Sequence, residues 1–265
     1  CMSKCTRNFY EESVHIRSMK HIAAENGYEA LMAKLKAPAI TKSGKAAVIG
    51  GGPAGMAAAY FIRKAGMEVT LFEKSGALGG VVRHVIPEFR IPQDAIDKDA
   101  SLLEKMGVNI CLNTEITDLD MLKNADYTAV VLAVGASEPG VLKLEKGETV
   151  NALDFLAQYK ETNGDLDIGK NVVVIGGGNT AMDTARAVKR TKGVEHSYLV
   201  YRRTKRYMPA DEEELQMAID DGVEFMELLA PVKLEDRKLL CKVMKLGDYD
   251  ASGRRGVIAT DEELE

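Results

Sequence analysis

Short apolar runs punctuate the chain between longer segments of mixed character. Ala46–Ile49, Val172–Ile175 and Ala129–Val134 have the length of buried strands and fall far short of the ~18 apolar residues a membrane helix needs. Around the first run the pattern predicts a strand at Ala46–Ile49, a tight turn at Gly50–Gly55, and an Ala-rich helix at Met56–Ala65 that stops at Gly66. A second strand follows at Glu68–Phe72, with Glu73 at its end. The succession recurs from Asn171: strand Asn171–Ile175, turn Gly176–Ala181, helix Met182–Arg190 and strand Ser197–Tyr201, followed by Arg202 and Arg203. Two such strand–helix–strand units predict an α/β chain with two Rossmann-like, three-layer dinucleotide-binding domains, not a solenoid of much shorter repeats.

The remaining pattern is less regular. Residues 1–36 read as a helical lead-in and residues 37–45 as a linker. Between the two units the expected elements are a helix at Gln93–Met106, a strand at Val108–Leu112, a short helix at Asp118–Asn124, a buried strand at Tyr127–Val134 and a helix at Leu153–Tyr159. After them come an acidic helix at Asp211–Asp221 and a small antiparallel set from Val223–Leu228, Val232–Leu234 and Leu240–Leu246. The polar tail 247–265 shows little periodicity.

Composition narrows the function classes. The 265 residues are 46% hydrophobic, enough to bury a sizeable core, and a net charge of −5 argues against a general nucleic-acid binder. Residues 1–20 carry charges throughout, with no secretory apolar stretch, and four cysteines make no disulfide framework, so the expected compartment is the cytoplasm. His15, His21, His84 and His196 are scattered and suggest no metal site.

The first turn places Gly50, Gly52 and Gly55 in a G-x-G-x-x-G pattern. The first glycine permits a sharp turn, the second lets backbone approach a pyrophosphate, and the third lets helix pack on strand. The helix N-terminus then offers free N–H groups to the phosphates, and Glu73 stands where an acid accepts bonds from ribose hydroxyls. The second turn is G-x-G-x-x-A, with Gly176, Gly178 and Ala181. Its ribose end carries Arg202, Arg203, Lys205 and Arg206 in place of an acid, which suits the 2′-phosphate of NADP(H). Hydride transfer between two bound rings needs placement more than proton chemistry, so no catalytic side chain is expected. Gly79–Val82 reads equally as an ordinary turn or a close approach to cofactor. Arg90, within Ile86–Pro92, is suited to neutralising a phosphate or pairing with a carboxylate. Cys1 and Cys5 alone do not complete an iron–sulfur cluster. Cys111 and Cys241 read as small buried hydrophobes. No C-x-x-C pair follows the first unit, which disfavours a flavin disulfide reductase.

Val48–Gly55, Glu73–Val81, Ile86–Pro92, Val174–Asp183, Tyr201–Pro209 and Asp221–Phe225 together resemble the small (β) subunit of NADPH-dependent glutamate synthase and its relatives. These include the electron-input part of dihydropyrimidine dehydrogenase and selenate reductase iron–sulfur subunits, the last with the strongest likeness. The resemblance runs from Cys1 to about Arg255. It implies FAD held by Gly50, Gly52, Pro53, Ala54, Gly55, Glu73, Lys74, Gly80, Val81 and Arg90, with Ile116 near the adenine. It implies NADPH held by Gly176, Gly177, Gly178, Asn179, Thr180, Ala181, Arg202, Arg203 and Arg206. It further implies an N-terminal ferredoxin-like domain with two [4Fe–4S] clusters, to which Cys1 and Cys5 would be the last metal ligands.

On this reading residues 1–40 are the helical remnant of an iron–sulfur domain, 41–140 the FAD domain and 141–265 the NADP domain. Electrons would pass from NADPH to FAD and through iron–sulfur clusters to an accepting domain or subunit. Family members re-enter the flavin domain after the NADPH domain, so the chain is expected to be cut at both ends. Weakened FAD binding, no stable cluster on Cys1 and Cys5, and self-association at an unpaired sheet edge are then expected. The rival readings are a flavin reductase with another acceptor and a non-catalytic nucleotide-binding adaptor that docks a partner through Asp211–Asp221.

Overall fold

The computed structural model describes residues 4–136, 138, 140–251 and 253–265. The chain forms two compact units, Cys1–Gly80 with Asp94–Gly135 and Val81–Gln93 with Ala136–Glu265. This differs from the division at residues 40 and 140 in two respects. The N-terminal helix groups with the first unit, and Val81–Gln93 groups with the second.

The first unit is built on a parallel sheet of order β3-β2-β1-β4, comprising β1 (Lys45–Ile49), β2 (Glu68–Phe72), β3 (Asn109–Cys111) and β4 (Tyr127–Leu132). β1 is paired on both sides, with Val48 level with Leu71 and Val131. That central place explains its unbroken apolar run, since neither face meets water. Helix α2 (Pro53–Lys64) covers one face through Met56 and Ala59, in a core with Val48, Val69, Leu71, Leu78 and Leu103, the last from α4 (Gln93–Lys105). Gly66, at φ 82°, ends α2 where the sequence predicts. On the other face Ala47, Ile49 and Leu122 of α5 (Asp120–Asn124) pack with Phe72, Ile116 and Tyr127.

One expectation is corrected in this unit. β4 is not a buried strand: among the described residues it pairs with β1 alone, and Val130 and Leu132, with Val134 just beyond it, are 39%, 61% and 68% exposed. A run of apolar residues specifies strand length, whereas burial depends on what lies alongside. Among the described residues the N-terminal lead-in forms a 3-10 turn at Thr6–Phe9 and α1 (Ile16–Lys34), which buries none of its residues. Segment 37–45 is irregular up to the start of β1, as a linker should be, and is fastened to the first unit: Arg63 Nη2 donates to the Pro38 carbonyl at 2.6 Å and the Thr41 N–H to the Gly66 carbonyl at 2.9 Å.

The second unit has a parallel sheet of order β5-β6-β7, from β5 (Asn171–Ile175), β6 (His196–Tyr201) and β7 (Glu224–Glu227). Helix α7 (Asn179–Arg190) follows β5 and is buried continuously from Ala181 to Val188. Met182, Ala185 and Val188 of α7 pack with Leu199, with Phe155 and Leu156 of α6 (Ala152–Glu161), and with Leu215 and Ala218 of α8 (Glu212–Asp220). A separate antiparallel sheet, β8 (Leu229–Glu235), β9 (Lys238–Tyr249) and β10 (Arg255–Leu264), completes the unit. Two further expectations are corrected here. β7 joins the parallel sheet beside β6 instead of the antiparallel set, and the polar tail forms strand β10.

Segment 81–93 is held on this unit by charge as well as packing. It begins at α3 (Gly80–His84), and Lys160 Nζ donates to the Ile86 carbonyl at 2.8 Å. The Phe89 ring faces two guanidinium groups, those of Arg186 at 4.8 Å and Arg190 at 4.3 Å. Both arginines converge on Asp221, with Arg186 Nε donating at 2.6 Å and Arg190 donating through Nη1 at 2.5 Å and Nη2 at 2.8 Å. Burial alone would raise the Asp221 pKa, but the hydrogen bonds from Arg190 and Arg186 override it and hold the carboxyl below its ordinary value. A depressed carboxyl pKa adds stability above the unfolded-state value and loses it as pH falls through the folded one. Asp221→Asn should therefore destabilise the second unit by about 1–3 kcal/mol at neutral pH. Thermal unfolding of the two proteins should show that gap narrowing below about pH 4. A gap of constant size across the acid range would show that Asp221's charge is not what holds the cluster.

Candidate functional site

The first candidate site lies where β1 gives way to α2. Gly50 sits at φ 103° and its N–H donates to the Phe72 carbonyl at 2.8 Å, which fixes the turn against β2. A Cβ on Gly55 would lie 1.8 Å from the Gly50 carbonyl oxygen, so helix and strand meet at a distance only glycine permits. Glu73 is buried and turned onto this turn: Oε2 accepts the Gly51 N–H at 2.6 Å, and Oε1 accepts the Ser75 N–H and hydroxyl, each at 2.8 Å. The Gly79 N–H donates back to the Gly51 carbonyl at 2.8 Å, and a Cβ on Gly80 would come within 2.9 Å of Gly52 Cα. Gly80 therefore closes against Gly52.

The donor set fits a phosphate group. α2 begins at Pro53, lacks a side-chain cap and has no acid in its first turn, so its free N–H groups and positive dipole end are left for an anion. Pro53 and Ala54 are exposed there. Glu73 adds acceptor oxygens at the ribose end. The residues present fit the diphosphate and ribose of FAD.

The second turn repeats the plan with different surroundings. α7 begins after Gly178, also without a side-chain cap and without an acid in its first turn. Gly177 lies on the Tyr201 ring, where a Cβ would approach a ring carbon to 2.4 Å. The loop after β6 folds back over the turn: the Ala210 N–H donates to the Gly177 carbonyl at 3.0 Å and the Asp211 N–H to Asn179 Oδ1 at 3.3 Å. Thr180 carries a neighbouring helix bond, its carbonyl accepting from the Thr184 hydroxyl at 2.7 Å. At the ribose end the arginines differ from one another. Arg202 is exposed and has no ion pair among the described residues. Arg206 lies over the Tyr207 ring at 5.9 Å, and Arg203 Nε donates to the Arg255 carbonyl at 2.9 Å. Tyr201, Tyr207 and Arg255 were not legible as site residues. Arg255 sits in the tail of little periodicity, and Tyr201 and Tyr207 fall inside the Tyr201–Pro209 stretch without being singled out there.

Other residues fall elsewhere. Arg90 is engaged by carboxylates: Nη1 donates to Glu214 Oε2 in a short hydrogen bond, and Nε lies 3.0 Å from Asp183 Oδ1. The latter contact is an ion pair by distance whose N–H does not aim at the oxygen, so Asp183 Oδ1 is buried without a hydrogen bond. Burial raises the Asp183 pKa, and Arg90 opposes it. Burial works against the Arg90 charge too, but Glu214 and Asp183 more than restore it. The acidic helix α8 thus turns Glu214 inward to Arg90. Ile116 packs beneath β1 and β4, and Lys74 and Val81 are exposed. Cys1 lies outside the described residues. Hydrogen bonds from the Val14 and Arg7 backbone lower the Cys5 thiol pKa, and among the described residues no group of three or more His, Cys, Asp or Glu is placed to hold a metal ion. Among them, too, no helix is long and apolar enough to cross a membrane.

Comparison with known proteins agrees with this architecture. Among curated proteins, YgfK of Escherichia coli O157:H7 is 41% identical over all of this chain, which spans 26% of YgfK. The NAD-dependent dihydropyrimidine dehydrogenase subunit PreT of Escherichia coli K12 is 34% identical over 99% of this chain and 64% of its own length. The NADPH-Fe(3+) oxidoreductase subunit beta of Geobacter sulfurreducens is 35% identical over 96% and 40%. The chain therefore spans less than two thirds of each of these relatives. Among solved structures, a 2-naphthoyl-CoA reductase complex superposes with TM-score 0.62 at 22% identity, covering 87% of this chain and 33% of that one. Thioredoxin reductase from Lactococcus lactis gives 0.54 at 21% identity, covering 82% and 75%. These two likenesses establish the fold. The family model for pyridine nucleotide-disulphide oxidoreductases matches residues 44–259, from just before β1 to within β10, and the chain belongs to that family.

Proposed function

We propose that the chain is an electron-input module that takes a hydride from NADPH onto FAD and passes electrons through iron–sulfur centres to an accepting domain or subunit, as in glutamate synthase small subunits. One observation carries the reading: two uncapped glycine turns of the same build end in opposite charges, Glu73 at the first and Arg202 with Arg203 at the second. A carboxylate accepts from ribose hydroxyls and repels a 2′-phosphate, whereas guanidinium groups bind it through paired charge-assisted hydrogen bonds. The two sites are therefore matched to different dinucleotides.

FAD would be held by Gly50, Gly52, Pro53, Ala54, Gly55 and Glu73, closed by Gly80, with Lys74, Val81, Arg90 and Ile116 implied by the resemblance. NADPH would be held by Gly176 to Ala181 with Arg202, Arg203 and Arg206. The bound flavin supplies the redox chemistry, accepting a hydride and releasing electrons singly. The chain's own residues bind and orient. The helix N-termini neutralise phosphate, Glu73 fixes both the turn and the ribose, and no side chain is asked to move a proton. The relatives' names differ in both nucleotide and output, NAD with dihydropyrimidine for one and NADPH with iron(III) for another, so they support a nicotinamide input with differing outputs, and the choice of NADPH rests on the arginines.

The direct test is to load the protein with FAD, desalt it and titrate it anaerobically. The flavin's visible band should bleach with NADPH much faster than with NADH. A retained flavin indifferent to both nucleotides would overturn the reading. Glu73→Ala should lower flavin retention by about tenfold or more, since it removes an acceptor and leaves the buried Gly51 N–H unpaired. Binding of adenosine 2′,5′-bisphosphate to the second unit should be unchanged in the same preparation. Replacing Arg202 and Arg203 together with Ala should weaken NADPH binding about tenfold or more and NADH binding by less than about twofold. Equal losses for both nucleotides would remove the selectivity argument.

A further inference from the structure

The antiparallel sheet of the second unit stands against the arginine loop, and its contacts with that loop are specific. In the β9–β10 hairpin Arg255 is paired across from Tyr249. The Arg255 guanidinium lies over the Tyr249 ring at 5.2 Å, and its Nε donates to the Gly247 carbonyl in a short hydrogen bond. The side chain is thereby folded back along its own hairpin, leaving the backbone carbonyl of Arg255 as the group that meets Arg203 Nε at 2.9 Å. From the other side the Leu228 N–H donates to the Arg203 carbonyl at 3.3 Å, and Glu227 Oε2 accepts the Lys205 N–H at 2.8 Å. Tyr201 hydroxyl donates to the Tyr207 carbonyl at 2.9 Å, joining the same loop to the residue beneath Gly177.

Arg203 is therefore held differently from Arg202. Its Nε is committed to a carbonyl, and its two Nη groups make no hydrogen bond among the described residues. A guanidinium anchored at Nε presents its remaining donors as a fixed fork, the arrangement that matches two phosphate oxygens. Lysine has the same charge, but its three donors share one nitrogen, so it offers no planar pair spaced for two phosphate oxygens beside a bond to the carbonyl. The exposed Arg202 needs no such fork to add charge.

We propose that the β9–β10 hairpin is a specificity-determining element of the second site: through the Arg255 carbonyl it orients Arg203 as the fork for a nucleotide 2′-phosphate. Arg255 and Tyr249 are positioning residues that act through Arg203. This inference rests on the assignment of the second turn to NADP(H), and it extends that assignment to a part of the chain with no glycine motif. Fixing Arg203 before the nucleotide arrives reduces the ordering that binding must impose, so the hairpin contributes affinity without touching the ligand.

The test uses the full chain and two probes differing only by one phosphate, adenosine 2′,5′-bisphosphate and 5′-AMP, read by calorimetric titration. Arg203→Lys should weaken the bisphosphate about fivefold or more, and 5′-AMP by less than about twofold, because a retained charge does not replace the fork. Arg202→Lys should weaken the bisphosphate less than Arg203→Lys does, since it keeps the charge at a side chain that no carbonyl anchors among the described residues. Tyr249→Leu and Arg255→Met, which leave the Arg203 side chain intact, should each weaken only the bisphosphate, by about threefold. Thermal unfolding of each variant identifies any that fails to fold, and Tyr249→Phe, which keeps the ring under Arg255 and removes only the hydroxyl, serves as the mild alternative and should weaken the bisphosphate less than Tyr249→Leu does. If Arg203→Lys binds the bisphosphate like the parent, or if the hairpin variants weaken both probes equally, the clamp is wrong. If the parent itself does not distinguish the two probes, the NADP(H) assignment fails and the clamp falls with it. A parent that discriminates, with hairpin variants that do so equally well, overturns the clamp alone.

Discussion

The approach of Gly55 to the Gly50 carbonyl governs the first unit. A helix can begin hard against the strand before it only if the third glycine of the turn carries no side chain, since a Cβ there would lie 1.8 Å from that oxygen. Once that approach is made, the rest follows in order. α2 covers β1 through Met56 and Ala59, its first N–H groups are left without a cap, and the turn is bent so that Gly51 meets Glu73. The buried carboxylate then serves two ends. It removes an orphaned donor from the turn and ties β2 to it, so one residue links sheet, turn and the loop carrying Gly79 and Gly80.

The second unit uses the same turn but relies more on ionic contacts. Around α7 lie Arg186, Arg190, Asp183, Asp221, Glu214 and Arg90, several with little solvent exposure. Buried charges cost desolvation unless each has close partners, and here arginine forks meet carboxylates in pairs, with the Phe89 ring beneath two guanidinium groups. Such a cluster adds little net stability over an apolar core, but it is demanding of geometry. Segment 81–93 fits this unit because Phe89 and Arg90 find those partners. The two prolines that flank them, Pro87 and Pro92, reduce the freedom lost when the segment is fixed.

Much of this was legible in the sequence, and the limits have physical causes. Both turns, their strands and Gly66 as the stop of α2 follow from local rules: strand length, left-handed glycine and helix propensity. The burial of β4 did not, because it depends on a neighbour across the sheet, about which an apolar run says nothing. β7 was misassigned for a similar reason, since a short strand does not declare which sheet it joins. The hairpin of β9 and β10 had a local sign, Asp250 with Gly253 at φ 77°, but Arg255–Leu264 runs from apolar Val257–Ala259 into polar Thr260–Glu263 without alternation, which hid the second strand. For Arg90 the sequence left two partners open, phosphate or carboxylate, and the contacts seen are carboxylates. Only tertiary structure brings Asp183 and Glu214 to it.

On the proposed assignment the two glycine turns are one backbone plan given different selectivities. The turn supplies phosphate binding through N–H groups, which is indifferent to the rest of the nucleotide. Discrimination has to come from the end of the following strand, about one nucleoside away, and the two units solve that problem with different amounts of scaffold. At β2 the acid is held from below by the turn itself, so a single residue suffices. At β6 an arginine has a long, mobile side chain and must be anchored to act as a fork, and the loop after β6 has no core of its own to do this. β7, through Leu228 and Glu227, and the β9–β10 hairpin, through the Arg255 carbonyl, provide that anchorage. On the proposed NADP(H) assignment, recognition of an extra phosphate accounts for structure far along the chain that a glycine motif alone would not require.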